Sequence, residues 1–225
     1  MKNPFKSLTI FEWCLWIGSL IAVTVSFLIY STDYLTLAAS LIGVTALIFI
    51  SKGMVIGQVI CVVFAVFYGV VSYFFRYYGE MITYLCMSGP IALMSVISWL
   101  KHPFEKSAEV EVSKLNKKQI IIMIISTAGV SGIFYFILGA LGNANLLLST
   151  VSIATSFAAA YLTFMRSAYY GIGYALNDLV LIGLWTYATI DDISYMPMTV
   201  CFAMFFVNDI YGFINWQRMK KRQMK

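Results

Sequence analysis

Two Asn-Asp pairs interrupt apolar runs in the last quarter of the chain: Asn177-Asp178 in YALNDLVLIGLW and Asn208-Asp209 in FFVNDIYGFINW. A carboxylate near the centre of a bilayer costs roughly 2.5–3.5 kcal/mol even on the lenient insertion scale. A water-filled cavity, a polar partner or a bound ligand must offset that cost. Carboxylates and aromatic faces suit a cation, and asparagine side chains both donate to and accept from an amide or a diol. Two such pairs on successive helices therefore point to a binding site for a small polar molecule.

Helical spacing groups further residues with these pairs. Tyr174, Asp178, Leu181 and Trp185 are separated by four, three and four residues and share one stripe. Asn208, Tyr211 (or Gly212) and Asn215 form a second stripe, with Asp209 one step round. Gln58 is the strongly polar side chain of the earlier apolar runs. The candidate site is thus Gln58, Tyr174, Asn177, Asp178, Trp185, Asn208, Asp209 and Tyr211. Each has a plainer alternative. Gln58 and Asn215 could join helices by hydrogen bonds, Trp185 could anchor at an interface, and the aspartates could pair with Arg166. Trp99 and Trp216, each beside a basic residue, read as interface anchors.

The elements that hold these residues are membrane helices. Of 225 residues 61% are hydrophobic and 11% charged, and the mean hydropathy is +0.85, far from a soluble domain. A spanning helix needs about 17–25 apolar residues. Eight runs qualify: 13–31, 34–51, 54–75, 81–100, 119–141, 145–165, 167–188 and 195–215. No cleavable signal peptide is evident. At about 1.5 Å per residue, Asp178 falls near mid-membrane and Asp209 nearer the side that holds both termini.

That side is expected to be cytoplasmic, because it carries fourteen of the fifteen basic residues: Lys2, Lys6, Lys52, Lys101, Lys106, Lys114, Lys117, Lys118, Arg166, Arg218, Lys220, Lys221, Arg222 and Lys225. The other side has Arg76. The basic tail, 218–225, is a topology signal and no nucleic-acid site. Cys14, Cys61, Cys86 and Cys201 lie inside spans, and the one histidine, His102, lies in a loop. No metal-ligand spacing, cofactor site or reactive constellation of an enzyme is present.

A faint internal repeat organises the chain. At an offset of 114, Lys52 faces Arg166, Gly57 faces Gly171, Gly69 faces Gly183 and Tyr73 faces Tyr187; after a gap of three, Trp99 faces Trp216. Equivalent segments lie four crossings apart, so the repeats are parallel. The expected fold is an all-α integral membrane protein: about eight transmembrane helices, with two three-helix repeats joined by a connector helix and one extra N-terminal helix. The single domain, 1–225, divides into the extra helix (1–33), a first repeat (34–100), a loop and connector (101–144), a second repeat (145–217) and the tail (218–225). Asn177 and Asp178 then face Val63 and Phe64, and Asp209 faces Ala92. The second half alone has gained polarity, which suits a site for one asymmetric molecule. Pro90 should bend the fourth run.

YLTFMRSAYYGIGYALNDLVLIGLW, followed by ISYMPMTVCFAMFFVNDIYGFINWQRM, resembles the PnuC-type vitamin transporters, in particular the nicotinamide riboside carriers, and YYGEMITYLCMSGPIALMSVISWLKHP resembles their first half. The resemblance implies a SWEET-like duplicated fold, a homotrimer in the cell membrane, and facilitated diffusion with trapping by a cytoplasmic kinase. It implies ligand contacts at Asn177, Trp185 and Asn208, with Asp178 and Asp209 in the same motifs. Nicotinamide riboside is a cation, and no basic residue lies deep in a span to meet a phosphate. The alternatives are a carrier of thiamine or riboflavin and a non-transporting membrane protein.

Overall fold

The structure, a computed structural model, describes residues 4–31, 33–74, 78–105, 107–143 and 145–224; Lys2, Arg76, Lys106 and Lys225 lie outside them. A short 3-10 turn, Pro4–Ser7, precedes eight long helices among the described residues. They are α1 (Ile10–Tyr30), α2 (Tyr34–Ser51), α3 (Val55–Phe74), α4 (Tyr78–Lys101), α5 (Lys117–Ala140), α6 (Leu146–Phe164), α7 (Tyr170–Asp191) and α8 (Met196–Gln223). All but α7 are long and apolar enough to cross a membrane; α7, at 22 residues, has the length but carries Asn177 and Asp178.

Caps fix where the helices begin. Thr9 and Glu12 form a capping box on α1, Asp33 caps α2, and Asn116 with Gln119 caps α5; each meets N–H groups that a helix start leaves unpaired. Within α4, Pro90 has no N–H to give. The strain is taken up just before it, where Thr83–Ser88 widens into a π-helical stretch and Gly89 N–H reaches back to Tyr84 O.

Packing follows chain order twice over. α3 lies against α2 and α4, and α7 lies against α6 and α8. The halves are joined crosswise, α2 on α8 and α4 on α6. α1 covers α2 and α8, while α5 rests on α6 and is the least buried helix. At the crossing of α7 and α8 a Cβ on Gly171 would sit 2.6 Å from Asp209 O and Phe213 N, so only glycine allows that approach.

One end of the bundle is sealed. Trp99 and Trp216 are fully buried there, with ring centroids 5.3 Å apart, and Tyr170 stacks edge-on at 4.7 Å from Trp216. Neither indole is an interface anchor, contrary to the expectation from its basic neighbour. Each instead donates its N–H to a helix-end carbonyl of the other half: Trp99 to Thr163 O at 3.0 Å, Trp216 to Ile50 O at 2.9 Å. Each carbonyl also accepts one turn N–H, Thr163 O from Arg166 at 3.0 Å and Ile50 O from Gly53 at 2.8 Å, and the indole takes its second lone pair.

The described residues of the connector, 102–105 and 107–116, lie over this seal as a strap. Val110 N–H donates to Gly53 O and Ser113 N–H to Arg166 O, both at 2.9 Å. Gly53 and Arg166 are the turn residues after α2 and α6, and both have left-handed backbone, φ 65° and 55°. Gln223, at the end of α8, accepts from Val112 N–H at 2.7 Å and donates to Val110 O at 3.1 Å, and Arg222 pairs with Glu109.

Candidate functional site

Two connected chambers run into the bundle from the end opposite the strap. The outer one, about 330 Å³, is bounded by Asn143 and Asn145 of the α5–α6 connection, by Glu80 at the start of α4, and by Trp185 near the end of α7. The inner one, about 140 Å³, holds Gln58, Tyr174, Asp178 and Asp209. Phe64, Tyr84, Leu181, Phe202 and Phe205 line both and form a waist between them. The outer volume reaches the range of small-molecule sites, roughly 300–1,000 Å³.

The inner chamber joins the aspartates of both Asn-Asp motifs. Asp178 from α7 and Asp209 from α8 are buried, with their carboxyl groups within hydrogen-bonding reach of each other. Two negative charges so placed in an apolar interior repel strongly, and a cation between them, or one shared proton, removes the repulsion. Asp178 Oδ2 and Gln58 Nε2 are buried without any hydrogen-bond partner. Leaving such atoms unmet costs roughly 1–3 kcal/mol each, a cost that a polar ligand in the chamber would remove. Arg166 does not: it hydrogen-bonds Ser98 Oγ, Glu111 O and His102 at the sealed end.

Asn177 lines both chambers and stands at the waist. Its Oδ1 accepts from Thr155 Oγ1 at 2.9 Å and Ser152 Oγ at 3.4 Å. The carbonyl is thereby committed to α6, which turns the amide NH2 of Asn177 into the side available to a ligand. Trp185 lines the outer chamber beside Tyr195, centroids 5.7 Å apart.

Asn208 and Tyr211 are elsewhere. Asn208 Nδ2 donates to Ser19 Oγ of α1 at 2.9 Å and to Met204 O, and Tyr211 donates to Glu12 Oε1 at 2.7 Å. The stripe of α8 that faces the chambers is Phe202, Phe205 and Asp209. The stripe of Asn208, Tyr211 and Asn215 faces α1 and the end of α2, where Asn215 donates to Ser51 O at 2.8 Å. The extra helix α1 takes up this face, a neighbour that spacing along α8 could not reveal.

Two carboxylates emerge that the charge-in-apolar-run argument did not single out. Glu12 is buried at the start of α1 and receives Lys52 Nζ at 3.0 Å as well as Tyr211. The signal for it was the Thr9-x-x-Glu12 capping pattern. Glu80 lines the outer chamber and accepts from Tyr68 OH at 2.7 Å.

Against known proteins, the sequence model described as nicotinamide mononucleotide transporter matches residues 33–218. A nicotinamide riboside transporter PnuC of Neisseria mucosa is 24% identical over 227 residues, covering 98% of this chain and 86% of that protein. A crystal structure of the vitamin B3 transporter PnuC superposes with a TM-score of 0.80 at 25% identity, over 96% of this chain and 94% of that one. The chain belongs to the nicotinamide mononucleotide transporter family, and it is a multi-pass membrane transporter.

Proposed function

We propose that this member of the family takes up nicotinamide riboside by facilitated diffusion and is no enzyme. The observation that carries the reading is the chemistry of the chambers. Asp178 and Asp209 face each other at the inner end, and among the described residues neither chamber is lined by a Lys, Arg or His. A fixed cation is matched there; a phosphate is not. This favours the riboside over the mononucleotide that gives the family its description. Gln58, Tyr174, Asn177, Asp178, Asp209 and Trp185 are the proposed contacts, while Asn208 and Tyr211 hold α8 through α1.

A potential negative inside drives a cation inward by about 2.3 kcal/mol per 100 mV, so accumulation needs no proton. The same reading places the sealed end and both termini in the cytoplasm and the protein in the plasma membrane as a homotrimer. Lys52, Lys101, Lys114, Lys117, Lys118, Arg166 and Arg218 all lie at or beside the sealed end, which supports the orientation. The halves are further inferred to be parallel repeats, supported by the crosswise packing and the matching Trp99 and Trp216 bonds. The left-handed turn residues Gly53 and Arg166 lie 113 apart, one fewer than the offset that pairs Lys52 with Arg166.

The test is a binding panel on purified protein: nicotinamide riboside, nicotinamide mononucleotide, thiamine and riboflavin. The riboside is expected to bind at least about 100-fold more tightly than the mononucleotide, a gap near 2.7 kcal/mol. Tightest binding of thiamine or riboflavin would replace the proposed vitamin. In liposomes with the potential clamped, uphill uptake driven by a pH gradient alone would overturn facilitated diffusion. Cysteines at Ser107 and Asp192, in a background without native cysteines, are expected to label from opposite sides.

A further inference from the structure

The outer chamber contains a carboxylate that the inner site does not use. Glu80 stands in the first turn of α4 and lines the chamber. Its Oε2 accepts from Tyr68 OH at 2.7 Å, and no other hydrogen bond or ion pair engages it among the described residues. Tyr68 and Tyr84 pack edge-to-face at 4.7 Å, and Phe64 stacks on Tyr68 at 5.7 Å. Phe64 and Tyr84 continue into the waist, which leads to Asp178 and Asp209. Trp185 lines the same chamber. A single carboxylate held by a phenol, beside aromatic faces, in a chamber of about 330 Å³ without a lining cation, is the arrangement that captures an organic cation.

We propose that Glu80, with Tyr68 and Tyr84, forms a first station for a cationic ligand, filled from outside before the ligand passes the waist to the Asp178–Asp209 pair. This rests on the reading of the chain as a carrier of a cation, and it adds a residue that sets how that cation is collected. The two stations divide the work. The outer one is wide and aromatic and holds one carboxylate; the inner one is narrow and holds two. A cation leaving Glu80 is drawn inward through the waist to the paired charge.

The experiment uses the full-length protein in oriented liposomes, with nicotinamide riboside supplied from either side. Glu80→Gln keeps the size of the side chain and an oxygen for Tyr68, and removes only the charge. It is expected to raise the outside half-saturation about ten-fold, the effect of losing one charge contact at a rim, and the inside half-saturation much less. Glu80→Asp is expected to recover part of the loss. An equal shift on both sides, or no shift, would overturn the proposal while leaving the carrier function standing. Absence of riboside uptake by the parent protein would instead overturn the carrier reading and this proposal with it. If Glu80→Gln does not fold, the parent decides by salt dependence. Outside half-saturation for the riboside should rise with ionic strength, while that for its uncharged reduced form should not; equal responses overturn the proposal.

Discussion

At the sealed end the halves of the molecule do the same thing twice; in the chambers they do different things. Trp99 of α4 bonds the end of α6, and Trp216 of α8 bonds the end of α2, at 3.0 and 2.9 Å. Ser98 and Asn215, the preceding residues, bond Phe164 O and Ser51 O. Deeper in, α3 and α4 supply Gln58, Phe64, Tyr68, Glu80 and Tyr84, whereas α7 and α8 supply Asn177, Asp178, Trp185 and Asp209. Closing a bundle end requires only that open carbonyls be met and the space filled, and one solution serves both corners. Recognising an asymmetric molecule requires unlike walls.

The comparison breaks most visibly if the unlike walls are made alike. Asp178→Asn and Asp209→Asn each remove one of the facing carboxylates, and the loss of a charged contact of roughly 1.5–3 kcal/mol is expected to weaken riboside binding by at least about ten-fold, read by calorimetry. Parent-like affinity in both would move the cation site out of the inner chamber. Asn177→Leu is expected to come next, about ten-fold weaker by loss of one amide contact at the waist. Asn208→Leu should instead lower the melting temperature while leaving affinity within about two-fold, since its partner Ser19 belongs to α1.

At the sealed end the expected effects are smaller and, more to the point, equal. Trp99→Phe and Trp216→Phe each remove one hydrogen bond from a carbonyl that keeps a turn N–H, Arg166 on Thr163 O and Gly53 on Ile50 O, at a cost of roughly 0.5–1.5 kcal/mol, and thermal unfolding in detergent should show matching losses. A difference of more than about 1 kcal/mol would mean that the corners are not alike. Gln223→Ala should do least, about 0.5 kcal/mol, visible as faster hydrogen exchange at Val110 and Val112.

Much of this was legible beforehand, for identifiable reasons. The helices announce themselves because apolar runs of membrane length have few other uses. Asp178 and Asp209 stand out because a carboxylate in such a run is costly. The direction of Asn208 was not legible: spacing groups residues on a helix face but does not say what covers that face, and here α1 does. Trp99 and Trp216 misled for a similar reason, since a basic neighbour marks the depth of an indole and not the way it turns. Glu80 was hidden by its place near a helix end, where charge is cheap. The strap left no periodic trace at all, because its pairings join residues as distant as Gly53 and Val110, or Val112 and Gln223.

Those distant pairings bear on how the molecule is made. Every partner that α8 gives to the sealed end, from Asn215 to Gln223, follows the last crossing through the chambers in chain order. While the first helices are already in the bilayer, the carbonyl of Ser51, the Val110 carbonyl and the Val112 N–H must wait for them. A nascent chain halted before residue 215 would hold an unfinished bundle, open at the end that Trp216 and Asn215 close. Protease access to the 102–116 connector during synthesis, lost only when α8 is complete, is the signature of that order.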